Sequence, residues 1–131
     1  FLAVRDMYVE SFKQLIVWQK SIELVKIIYA ITKRFPPSEL YGLTSQMRRS
    51  SISITSNIAE GKKRKTKKDF VQFLRIADGS AAELETQIII AKDLYQPINF
   101  SQSQNILTEI QKMLFTMINK LENGISDSSK L

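Results

Sequence analysis

SNIAEGKKRKTKK, residues 56–68, joins a small-residue apolar segment to a dense run of cations through a single glycine. Upstream of it, Met47, Ser51, Ile54 and Ile58 recur at the three-four spacing of one helix face. Downstream, Phe70, Phe73, Ala77, Ser80, Leu84, Gln87, Ala91 and Leu94 keep the same rhythm. The stretch is therefore a corner between two helices. Gly61 is expected to end the first as a left-handed C-terminal residue, and Thr66 with Asp69 three positions on matches a capping box for the second. The expected spans are about 45–60, opened by a Thr44 cap, and about 67–95, closed by Pro97. The first of these helices is thin along one side, at Ser50, Ser51, Ser53, Ser56 and Ala59. Serine and threonine are poor helix formers, so tertiary packing or an oligomer must hold it.

Working outward, Leu15, Trp18, Ile22, Val25, Tyr29 and Thr32 form one stripe and Leu24, Ile28, Ile31 and Phe35 a second. They predict a helix over about 14–34, with Ser11 and Gln14 as a capping box and Pro36-Pro37 as its stop. Gly42 can take a positive φ in the connector, where Phe35, Leu40 and Tyr41 are expected to plug one end of the core. On the other side, Ser101 and Gln104 suggest a cap, and Ile106, Ile110, Met113, Met117 and Leu121 mark a helix over about 102–123 that Gly124 stops. Gly79 to Ala82 form a small-residue waist in the long third helix, expected to mark a tight crossing. Residues 1–12 and 125–131 are expected to be flexible. The chain opens on Phe1, Met7 is a candidate natural start, and residues 1–6 carry no functional expectation. Four amphipathic helices with short connections and no strand-like alternation give an all-α, antiparallel up-down-up-down four-helix bundle forming a single domain over 1–131.

Composition narrows the function. Apolar residues make up 44% of the 131 positions, with only four glycines and three prolines, which favours a packed helical chain over a disordered or turn-rich one. Without cysteine there is no disulfide or thiolate metal site, and without histidine the commonest general base and metal ligand are missing. Apolar runs such as Ile88 to Ala91 are too short to span a bilayer, and the start of the chain lacks the order of a signal peptide, so a cytoplasmic location is expected. The formal charge is +6, from 19 Lys and Arg against 13 acids. Lys62, Lys63, Arg64, Lys65, Lys67 and Lys68 alone account for that excess. The basic character is local, which points to an anionic partner at one place.

Each constellation has a plain and a functional reading. The basic corner is either a solvated charged turn or a phosphate-binding surface. Lys62 and Lys63 suit the negative end of the first corner helix, whereas Lys67 and Lys68 oppose the dipole of the second. No aromatic is interleaved before Phe70 and Phe73, so base stacking is not expected. Arg48 and Arg49 either extend the cationic surface or form ion pairs with Glu83 and Glu85, within or between chains. Glu23, Glu60, Glu83, Glu85 and Glu109 raise a metal site, but no ligand spacing supports one, and neither a metal nor a cofactor is expected. Trp18 and Tyr29 read as core. Asn57 reads as a structural cap for the corner.

The motifs Val17-Trp18-Gln19-Lys20, Phe35-Pro36, Glu39-Leu40-Tyr41-Gly42-Leu43, Ser45 to Arg49, Ser56 to Gly61, Phe70 to Leu74 and Gly79 to Gln87 together span about Phe12 to Tyr95. In this order they resemble the small bacterial four-helix-bundle proteins often encoded in intervening sequences of 23S rRNA genes. That family is similar in fold to the accessory protein of diversity-generating retroelements, a basic pentameric barrel associated with nucleic acid and a reverse transcriptase. The resemblance implies a homopentamer, with RNA or DNA backbone and a reverse transcriptase or other protein as partners. It implies no catalytic residue. Arg48, Arg49, Asn57, Glu60 and Glu83 carry over by motif as residues that hold a ring together, with Gly61, Gly79 and Trp18 beside them as structural or interface positions. The expected function is a non-enzymatic, oligomeric nucleic-acid-binding protein acting through Lys62–Lys68, with RNA preferred on the resemblance. The alternative is a structural or adaptor oligomer whose partner is another protein.

Overall fold

The structure, a computed structural model, describes residues 10–129, with side chains described through 124. Four helices make up the bundle: α1 (Ile16–Thr32), α2 (Leu43–Lys62), α3 (Lys67–Leu94) and α4 (Ser101–Ser129). No strand occurs among the described residues. Each helix packs on its neighbours in sequence, and α4 closes the ring against α1. The core they share includes Leu24, Ile28, Met47, Ile54, Ile58, Leu74, Leu84, Ile88, Leu107 and Ile110.

Local chemistry sets the boundaries, and several differ from expectation. Ser11 and Gln14 do make a capping box, but it opens a 3-10 turn at Phe12–Gln14, and α1 starts only after the extended Leu15. α1 stops at Thr32, whose hydroxyl donates back to the Ile28 carbonyl at 2.7 Å. Its most buried line is Val17, Ser21, Leu24, Ile28 and Thr32. The stripe through Trp18, Ile22, Val25 and Tyr29 is only half-buried. Trp18 thus borders the core rather than filling it, its ring edge-on to Phe12 at 5.3 Å.

Gly42, not Thr44, occupies the N-cap of α2, and its φ is −113° rather than positive. Thr44 is buried in the first turn. Of the expected plug only Phe35 is buried; Leu40 and Tyr41 face outward. Phe35 stacks instead on Tyr95 at 4.9 Å and approaches Phe100 at 6.3 Å. The Tyr95 hydroxyl donates to the Glu39 carboxylate, which also accepts from the Leu43 amide at 3.3 Å. That hydrogen bond, with burial and the neighbouring negative charge, pushes the Tyr95 phenol above its ordinary range.

The expected inner line of α2, Met47, Ser51, Ile54 and Ile58, is fully buried. Of the small residues along α2, Ser50 and Ser51 are buried while Ser56 is exposed, and α2 and α3 form the most extensive helix pair. Ser53 and Ser80 hydroxyls meet across it at 2.8 Å. Ser80 and Ala81 are buried, but Gly79 and Ala82 lie on the outer surface, so the waist is tight on one side only. Thr66 caps α3, accepting from the Asp69 amide at 3.1 Å, which is the Thr66 half of the expected capping box. Asn99 Oδ1 takes the Ser101 amide at 2.9 Å where Ser101 was the expected cap. α4 continues through Gly124 to Ser129, because its glycine costs helix propensity without forcing a turn. Of the segments expected to be flexible, 1–12 and 125–131, Phe12 belongs to the 3-10 turn and 125–129 continue α4, while 1–9 and 130–131 lie outside the described residues.

Candidate nucleic-acid interface

The basic corner is built by the end of α2, a short turn and the start of α3. Lys62 lies in the last turn of α2 and Lys63 is its C-cap. Arg64 and Lys65 form the turn, Thr66 caps α3, and Lys67 and Lys68 open it. Gly61 differs from its expected role: it stays inside α2, is buried, and has no positive φ. A β-carbon there would lie 2.7 Å from Phe73 Cβ and 3.1 Å from Phe70 Cδ1. The glycine is needed for closeness, since α3 folds back directly over the last turn of α2.

That closeness places the cations over aromatic faces. The Arg64 guanidinium sits 4.7 Å from the Phe73 ring centre and Lys62 Nζ 6.0 Å from that of Phe70. Each ring therefore has a cation over one face. Arg64 also reaches Glu60 at 3.7 Å, a half-exposed pair of small energetic weight. Lys63, Lys65, Lys67 and Lys68 enter no ion pair among the described residues. Their charge is unneutralised and faces solvent.

Lys62, Arg64, Lys65 and Lys67 line a cleft of about 270 Å³ together with Phe70 and with Lys120 of α4. Sequence reasoning missed Lys120. It lies over fifty positions from the corner, and only the packing of α4 on α3 brings it there. A second depression beside it joins Lys62 and Lys63 to Glu10, Ser11 and Phe12, so one carboxylate borders the cationic surface.

The remaining expected site residues lie elsewhere. Arg48 does not extend the corner: about 20 Å of helix separates it from Lys62. Its Nε donates to Thr32 Oγ1 at 2.9 Å, and its guanidinium covers the Tyr29 ring at 4.4 Å. Arg49 and Glu83 are both exposed and do not pair with each other within the chain. Glu85 accepts from Gln111 Nε2 at 3.0 Å. Asn57 is not a cap for the corner, because its amide donates to the Ser53 carbonyl at 2.8 Å and the Ser53 hydroxyl at 3.1 Å inside α2. Among the described residues no three acidic side chains converge as a metal site, and no helix is long and apolar enough to cross a membrane.

The sequence model of the 23S rRNA-intervening sequence proteins matches residues 13–116. The chain belongs to this family. The family match covers α1 to α3 and the first half of α4, and so includes the whole lysine-rich turn but not Lys120. A solved structure of the S23 ribosomal protein family, a Bacteroides thetaiotaomicron protein of unknown function, is similar at 28% identity with a TM-score of 0.67. The similarity covers 79% of this chain and 98% of that one. Among curated proteins none matches.

Proposed function

We propose that this member of the family is a non-enzymatic, oligomeric nucleic-acid-binding protein whose ligand is the phosphate backbone, RNA before DNA. The observation that carries the reading is the cleft of Lys62, Arg64, Lys65 and Lys67 completed by Lys120, with uncompensated Lys63 and Lys68 beside it. Cations from two separate parts of the chain converge on one concavity at the positive end of α3, an arrangement suited to phosphate. Because Arg64 and Lys62 cover the Phe73 and Phe70 rings, the surface offers charge rather than stacking faces, and low sequence specificity is expected. The RNA preference rests on family membership. A homopentamer, the assembly the resemblance implies, would repeat the corner around a ring and bind by avidity.

The test is binding of a labelled structured RNA and a matched duplex DNA across a salt series. Replacing Lys62, Lys63, Arg64 and Lys65 together by Gln should flatten the slope of log affinity against log salt by about 3. Helical content by circular dichroism should not change. Unaltered affinity and slope would reject the corner as the binding surface and favour an adaptor whose partner is another protein.

A further inference from the structure

The cleft at the basic corner has a charge and a size that the interior of a strand does not use. Five cations line it, and Glu60 offsets only part of their charge through its 3.7 Å contact with Arg64. No acidic side chain lines it among the described residues. An internal phosphodiester carries a single negative charge, whereas a terminal phosphate monoester carries about −1.5 to −2 and three strong acceptor oxygens. At about 30 Å³ for each water, 270 Å³ holds roughly nine, space for one phosphate group and part of its sugar but not for a length of strand.

α4 contributes Lys120, Leu121 and Gly124 to the cleft. Lys120 and Gly124 are four apart and share a helix face. Lys67 reaches that face from α3: a β-carbon at Gly124 would lie 3.4 Å from its Nζ and within 4 Å of no other atom among the described residues. A longer side chain at 124 would compete for the space beside the Lys67 ammonium. Phe70 and Leu121, both buried in the core, are the apolar part of the lining. A cation held beside such side chains attracts an anion more strongly than one in open water, and the gain grows with the charge of the anion.

We propose that the cleft takes the terminal phosphate of a nucleic-acid strand, held by Lys67 and Lys120 from two helices, while Lys63 and Lys68 outside it follow the adjoining backbone. The inference rests on the proposed nucleic-acid function and deepens it, since it makes the end of the strand, not its interior, the preferred ligand.

Fluorescence anisotropy of the full chain with one internally labelled RNA tests it, the RNA carrying a phosphate at its 5′ end, at its 3′ end or at neither. One phosphorylated form should bind about tenfold tighter than the unphosphorylated form. Lys120→Gln and Gly124→Leu should each cut that ratio to about threefold or less. Lys68→Gln, outside the cleft, should weaken all three RNAs alike and leave the ratio unchanged. Gly124→Leu should melt no lower than the parent, since leucine is the better helix former; if it does melt lower, Lys120→Gln alone decides. Equal affinity for the three RNAs would overturn this inference and leave the backbone reading standing, whereas binding of none would overturn both. An end preference untouched by Lys120→Gln and Gly124→Leu would place the end site outside this cleft and overturn it too. A nucleoside monophosphate should displace the phosphorylated RNA far less effectively than the same RNA unlabelled, because it lacks the strand that Lys63 and Lys68 hold. Equal potency would assign the cleft to a free phosphate monoester and overturn the strand end as its ligand.

Discussion

Gly61 sits where the last turn of α2 passes under Phe70 and Phe73, and the close approach of those rings leaves no room for a methyl group. Replacing it by Ala improves intrinsic helix propensity but drives a β-carbon into the Phe73 side chain at the base of a fixed corner. Overpacking should dominate, and Gly61→Ala should lose about 1–3 kcal/mol in urea denaturation. A gain would mean that α3 can retreat from α2 at little cost. Sequence alone recognised this glycine as special but assigned it a helix end. A glycine followed by a cationic turn has the same signature whether it is chosen for its backbone or for its missing side chain. Asn57 misleads as a corner cap for a related reason: a polar residue near an inner line can bond across a corner or back along its own helix, and here it does the latter.

At the scale of an element, α3 opens with Lys67 and Lys68, the charge that disfavours a helix N-terminus. Thr66 and Asp69 satisfy the helix start, so the lysines are not needed to form it. Changing both to Glu should raise stability by about 0.3–1 kcal/mol per position and relieve repulsion within the corner. The same change should weaken binding to RNA in the salt series above. Lower stability with binding unchanged would instead mean that these cations hold the corner together. Helix existence and the inner line of α2 were legible in sequence because burial imposes a strong periodicity, as at Met47, Ser51, Ile54 and Ile58, whereas in α1 the stripe through Trp18, Ile22, Val25 and Tyr29 is only half-buried. Ends were less legible. Thr44 resembles a cap but lies buried in the first turn of α2, and Gly124 resembles a stop but lies inside α4, where glycine lowers helix propensity without forcing a turn.

At the scale of the molecule, Lys120 joins the corner only because α4 packs beside α3 and brings it to the cleft. Lys120→Gln should therefore reduce the salt slope of RNA binding by about 0.7–0.9, the share of one phosphate contact, with no change in melting temperature. An unchanged slope would confine the binding surface to the α2–α3 turn. What the sequence by itself determined is the helical bundle and the location of its charge, since periodicity and clustered lysines are local properties of the chain. What the tertiary structure alone decided is which groups share a surface. Packing carried Lys120 to the corner, kept Arg48 on Thr32 and Tyr29 well away from it, and turned Tyr41 outward beside Arg49. Those outcomes depend on the rotation and register of one helix against another, quantities set by side-chain fit across the core rather than by spacing along the chain.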